Sequence, residues 1–180
     1  MNTPFFYGLV LAFGNIVLTL VFFFLGYQTD KMVQGRWIVS LLPLVMTIIV
    51  MWLGIRAARE EAKDGSLSYG KGVGTGVLIA LYAGLIGAIY TYIHFTFINP
   101  SFADYSIDMV RQQWAAKGMS DAQMETAEKY TRFMYKPAVL AILGIILSPL
   151  FGLVIALILS VFLKRKKEAI AENPPAVAQS

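Results

Sequence analysis

The sequence contains no cysteine, which excludes disulfides, cysteine-ligated zinc and iron–sulfur clusters and leaves the redox compartment undetermined. It contains one histidine, His94, so bis-histidine haem ligation and a histidine-rich metal site are excluded within the chain. Charge is scarce, at 14% of residues against about a quarter in an ordinary soluble domain. Apart from His94, no acid or base lies inside any of the four long apolar runs. The mid-membrane carboxylates usual in proton- and ion-coupled transporters are therefore missing. Gly70, Gly72, Gly74 and Gly76 alternate around Lys71, but Gly72 stands where a phosphate-binding loop needs Ser or Thr, and the dinucleotide glycine pattern fails too. No nucleophile–base pattern has local support. A non-enzymatic protein without cofactor or metal is expected. The formal charge of +4 does not imply nucleic acid, because the basic residues flank the apolar runs, where they read as membrane orientation and contact with anionic lipid headgroups.

What the chain does have is apolar length. Hydrophobic residues make up 57% of its 180 positions and are bunched, each bunch long enough to cross the hydrocarbon core, which takes about 20 helical residues. The fold class is all-α: an integral membrane bundle of four transmembrane helices, with spans at about 5–27, 37–55, 72–98 and 138–163. No Lys or Arg precedes the first run and no small-residue cleavage site follows it, so it reads as a retained span rather than a signal peptide. The short link carrying Asp30, Lys31 and Arg36 makes the first two spans antiparallel neighbours. A charged loop is expected over 56–71. Residues 1–167 form one membrane domain, and 168–180, with Asn173-Pro174-Pro175, lack packing residues and read as a disordered cytoplasmic tail.

Between the third and fourth spans, residues 101–135 are too polar for hydrocarbon and read as a two-helix extracytoplasmic hairpin, about 101–117 and 121–135. Asn99 and Pro100 suit the N-cap and first position of its first helix. Gly118 suits the left-handed residue that closes it. Ser120 and Gln123 match a capping box, with Met119 and Met124 placed as a hydrophobic staple. Asp104 with Asp108, and Asp121 with Glu125, are one turn apart, but the interleaved Arg111, Lys129 and Arg132 favour solvated ion pairs over a divalent cation. With four spans the termini share a side. The basic totals nearly balance, and Lys164-Arg165-Lys166-Lys167 against a helix end puts both termini in the cytoplasm.

Lipid solvates leucine as well as a neighbouring helix does, so the bundle needs close backbone approach. Gly72, Gly76, Ala80, Gly84 and Gly87 line one face of the third span; Gly144, Ser148, Gly152, Ala156 and Ser160 do the same in the fourth, and Gly8, Ala12, Asn15 and Thr19 in the first. These read as packing faces. Asn15, near mid-span, should point inward and hydrogen-bond to another helix, with a substrate contact as the alternative. His94 shares a face with Tyr90 one turn from a helix end, which reads as an interfacial histidine in an aromatic belt, with proton relay or ligand binding as the alternative. Pro43 and Pro149 are expected to kink their helices.

Three stretches taken together are similar to one family. Leu67-Ser68-Tyr69-Gly70-Lys71 leads into a glycine-rich span; Tyr90 to Pro100 (YTYIHFTFINP) forms an aromatic exit ending in Asn-Pro; and Lys117-Gly118-Met119-Ser120 is followed by a polar helix, a last span and a lysine-rich end. Over residues 4–167 the chain resembles the membrane proteins of Bacteroidetes-type bacteria known as domain of unknown function 4199. The resemblance implies four spans and a bacterial inner (cytoplasmic) membrane, and it implies no activity, ligand or catalytic residue. The small-residue faces point to a structural or accessory subunit acting through helix packing, in contact with membrane lipids and with a second copy or another membrane partner. The alternative is a small transporter or channel subunit, its path lined by Asn15, Thr19, Thr47 and His94.

Overall fold

Long charge-free runs with few helix breakers can satisfy their peptide groups only internally once water is absent, and the chain does so as α-helix throughout. A computed structural model describes residues 2–62 and 65–164. Six helices are formed there: α1 (Thr3–Phe24), α2 (Met32–Glu60), α3 (Tyr69–Ile93, prolonged by a π-helical turn His94–Ile98), α4 (Phe102–Ala116), α5 (Asp121–Met134) and α6 (Pro137–Leu163). No strand occurs among the described residues. α1, α2, α3 with its π turn, and α6 are long and apolar enough to cross a membrane. Their outer faces bear this out: Phe24, Phe97 and Phe162 are at least 70% exposed, an arrangement that lipid tolerates and water does not.

The helix ends differ from the sequence expectation for local reasons. α1 stops at Phe24 because Gly26 takes a left-handed conformation (φ 80°), its N–H bonded to Phe23 O and that of Tyr27 to Phe22 O, both at 2.9 Å. These paired bonds close the helix before residue 27. α2 begins at Met32, not at Trp37, and continues through the expected loop to Glu60, helped by an Arg56–Glu60 ion pair at 2.8 Å one turn apart. α3 begins at Tyr69, three residues before the expected start, because the Ser68 hydroxyl caps the Lys71 N–H. Pro43 and Pro149 sit inside continuous helices. Asn99 and Pro100 do not start α4. Ser101 is its N-cap position, and Asn99 is buried with its side chain turned elsewhere. The expected tail 168–180, with Arg165, Lys166 and Lys167, lies outside the described residues.

α3 is the hub, touching α1, α2 and α6. Its small residues meet those of α6 in antiparallel register: Gly72 with Ser160, Gly76 with Ala156, Ala80 with Gly152, and Gly84 with Ser148. A methyl placed on Gly76 would lie 2.5 Å from Ala156 Cβ, and one on Gly84 2.6 Å from Ser148 Cβ. Gly152 lies closer still to Ala80. Ser148 also donates its hydroxyl to Ala80 O at 2.7 Å. Gly8 of α1 faces Tyr82 and Ile79 of α3, and Ala12 is buried beside it in the core. Gly144 is the exception. Nothing lies within 4 Å of where its side chain would be, although its carbonyl oxygen is 3.4 Å from where a methyl on Gly84 would sit.

The buried core (Leu11, Met51, Ile55, Ile79, Ala156, Leu159) fills the half of the bundle nearest the termini. The other half is capped by the hairpin of α4 and α5. Gly118 closes α4 at φ 76° with Met119 N–H bonded to Trp114 O, and the Ser120–Gln123 capping box opens α5, both as the sequence implies. Arg132 pairs with Asp104 at 2.8 Å and Glu128 at 3.2 Å, and Lys129 with Glu125 at 3.3 Å. Hydrogen bonds that it donates to Asp104 and then Glu128 hold the Arg132 guanidinium above its usual pKa.

Candidate functional site

Two adjoining cavities lie between the middle of the bundle and the hairpin. The inner one, about 220 Å³, lies at mid-bundle and is bounded by all four spans: Asn15 and Thr19 of α1, Thr47 of α2, Tyr90 and Thr91 of α3, and Ser148 of α6, with Leu11, Ile16 and Phe151 as apolar wall. Gly87, expected to pack, instead lines this space and has nothing within 4 Å. The outer cavity, about 380 Å³, opens towards the hairpin and is lined by Tyr27, Gln28, Arg36, Ser40, His94, Ser106 and Tyr135. Thr19, Tyr90 and Thr91 belong to both walls, so the two spaces adjoin across them. Arg36 of the outer wall and Thr47 of the inner wall are three helical turns apart on α2, about 16 Å at the usual helical rise.

A buried polar chain closes the outer end of α1 onto α3. His94 has no exposed surface; its Nε2 lies 2.9 Å from Gln28 Oε1 and its Nδ1 3.0 Å from the Tyr90 hydroxyl. Gln28 Nε2 in turn donates to Thr19 O at 3.1 Å. A carbonyl can only accept, so that last bond fixes which end of the Gln28 amide is NH₂. Its Oε1 must then accept, which makes His94 Nε2 the protonated nitrogen. Neutral His94 consequently accepts at Nδ1 from Tyr90. Asn99 Nδ2 approaches Gln28 O and Oε1 at the limiting distance of 3.5 Å. The π turn makes this possible: its Asn99 N–H to His94 O bond, 2.7 Å, swings Asn99 back under the loop. Phe95 of the turn stacks on Phe102 of α4 with ring centres 4.3 Å apart, tying the hairpin to the cavity mouth.

His94 is therefore an interior residue, not a member of an interfacial aromatic belt. Burial is tolerable because both ring nitrogens have partners. Tyr92, one face away, is 47% exposed and does occupy the outer surface. Asn15 points inward as expected but not to another helix: among the described residues its amide has no hydrogen-bond partner, and it faces the inner cavity. Thr19, Thr47 and His94 lie on the same two cavities. Gln28 went unrecognised in the sequence, where it reads as part of a polar link; it sits 7% exposed at the centre of the network. Ser106 and Tyr135, which bring α4 and the end of α5 to the outer chamber, were also missed. No group of three or more potential His, Asp or Glu metal ligands occurs among the described residues.

Residues 6–165 match the family described as protein of unknown function (DUF4199), and the chain belongs to it. No curated protein and no solved structure matches the chain.

Proposed function

We propose that this member of the family handles a small molecule inside the membrane, as a transporter or channel subunit whose path begins at the hairpin and reaches mid-bundle. The observation that carries the reading is the pair of adjoining cavities, the inner one with polar groups from every span. Four hydroxyls on the inner wall (Thr19, Thr47, Tyr90, Ser148) already have partners, but among the described residues the Asn15 amide and the Thr91 hydroxyl do not, and leaving such groups dry inside a membrane costs about 1–3 kcal/mol each unless water or a ligand reaches them. The rival reading, an accessory subunit that associates through small-residue faces, loses weight because the faces of α3 and α6 are matched to each other within the chain. We place the protein in a bacterial inner membrane with both termini cytoplasmic and the hairpin outside. Arg56, Arg59, Lys71 and Lys164 gather at the end of the bundle opposite the hairpin, as cytoplasmic basic residues do.

The natural absence of cysteine makes the test direct. Single variants Thr47→Cys, on the inner cavity, and Val154→Cys, 56% exposed on the outer face of α6, are treated in membrane vesicles with a small hydrophilic thiol reagent. Thr47→Cys should react from the hairpin side and Val154→Cys should not. Equal inertness of the two would end the path reading, and reaction only from the side opposite the hairpin would overturn a path that begins at the hairpin.

A further inference from the structure

We infer that the inner chamber takes small neutral solutes that donate hydrogen bonds, polyols being the chemical class, in preference to pure acceptors of equal size. This rests on the cavity reading above and adds to it the sign of the hydrogen bonding. Three of the hydroxyls on its wall are bonded to backbone carbonyls: Thr19 to Asn15 O at 2.8 Å, Thr47 to Pro43 O at 2.7 Å and Ser148 to Ala80 O at 2.7 Å. A carbonyl has no proton to give, so in each bond the hydroxyl must be the donor. The Tyr90 hydroxyl is committed in the same way, because the Thr19–Gln28–His94 chain leaves Nδ1 bare to receive its proton. With their protons committed, lone pairs are all that these four oxygens can offer a solute in the chamber.

Asn15 and Thr91 keep uncommitted protons, so the wall is acceptor-rich without being acceptor-only. A dehydrated cation would also seek lone pairs. No carboxylate lines either chamber, however, and burying an ion without a counter-charge costs several kcal/mol. A neutral molecule with several hydroxyls satisfies the same oxygens with no such penalty and can accept from Asn15 in return. An ether of the same size leaves the lone pairs facing lone pairs.

Gly87 supplies a reporter that alters none of these groups, since it lines the chamber and has open space at its Cβ. The full-length Gly87→Cys protein is reconstituted, and its labelling by a small hydrophilic thiol reagent is timed with erythritol, with diethylene glycol dimethyl ether, and with sodium or potassium salts. Ala116→Cys, exposed on the hairpin, corrects for bulk effects on the reagent. Erythritol should slow the Gly87→Cys reaction about fourfold when present at about three times its dissociation constant, following one-site occupancy, while the ether does not. Adding the near-isosteric Thr47→Val change, which removes one acceptor, should weaken the protection. Equal protection by the ether, protection by the salts instead, no protection by either solute, or protection untouched by Thr47→Val each overturns the inference while leaving the cavity reading intact. A Gly87→Cys protein that folds but never labels overturns both.

Discussion

Two identical substitutions on α6, two turns apart, should have opposite effects. Gly152 faces Ala80 so closely that an added Cβ would overlap the methyl already there, whereas nothing lies within 4 Å of the corresponding point at Gly144. Carbon atoms normally rest about 3.5–4.0 Å apart, so Gly152→Ala forces α3 and α6 to separate by about 1 Å or more. Neither colliding group can swing away, because both are first side-chain atoms fixed to helical backbone. The displacement also loosens the Gly76–Ala156 and Gly84–Ser148 rungs on either side. Overpacking of this kind costs about 1–3 kcal/mol, set against a gain of up to about 1 kcal/mol from alanine's better helix propensity. Since the contact is rigid, a net loss of about 2 kcal/mol is expected for Gly152→Ala. Gly144→Ala keeps only the propensity gain, from zero to about 1 kcal/mol. Reversible unfolding in mixed micelles on adding denaturing detergent, followed by far-ultraviolet circular dichroism and by the fluorescence of the three native tryptophans, measures both. Equal effects, or a more stable Gly152→Ala, would refute the claim that the α3–α6 ladder is a tight contact within one chain.

Other substitutions probe the polar half. Gln28→Leu strips a partner from His94 Nε2–H and from Thr19 O in a buried place, so stability should fall by about 1–3 kcal/mol in the same assay. Combining it with His94→Leu should cost less than the two single changes added, because both remove the same bond; strict additivity would mean that the contact does not form. Ser148→Ala keeps the Cβ against Gly84 and loses only the bond to Ala80 O, for about 0.6 kcal/mol; a loss several times larger would show that the hydroxyl has another role in holding the helices. Arg132→Ala should leave the unfolding midpoint nearly unchanged, since its ion pairs with Asp104 and Glu128 are solvated, and a large drop would show that the hairpin depends on them.

The bundle was legible because charge-free length is a one-dimensional signal. Helix ends were less so. Arg56, Arg59 and Glu60 look like loop residues in a list, yet a helix leaving hydrocarbon can continue through charged residues that pair one turn apart, as Arg56 and Glu60 do. Capping chemistry is local, and the hairpin signals at Gly118 and Ser120 could be read directly, while the same logic at Asn99-Pro100 failed. There a tertiary contact won: Asn99 turns to Gln28, which is 71 positions earlier in the chain. The site was half visible. A polar residue in the middle of an apolar run announces itself, and Asn15, Thr19 and Thr47 do line the inner chamber. Gln28 carries no such signal, because a glutamine between two spans is unremarkable until the Gly26 turn folds it over His94.

The packing ladder and the cavity are one device seen from two ends. Up to and including Gly84–Ser148 the α3 and α6 backbones are drawn together by four rungs of small residues, and one turn further on Gly144 has open space at its Cβ. Ser148 is at once the last rung and a wall of the inner chamber. Its hydroxyl ties α6 to the Ala80 carbonyl, and Ala80 and Gly152 of the preceding rung line the same chamber, so the ladder itself forms part of the chamber wall. A substitution that pries the ladder apart should therefore change what reaches the chamber as well as how stable the bundle is. Gly152→Ala combined with the Gly87→Cys reporter should label at an altered rate under conditions where the protein remains folded. If labelling is unchanged while stability falls, the ladder only holds the helices together, and access to the chamber does not depend on their spacing.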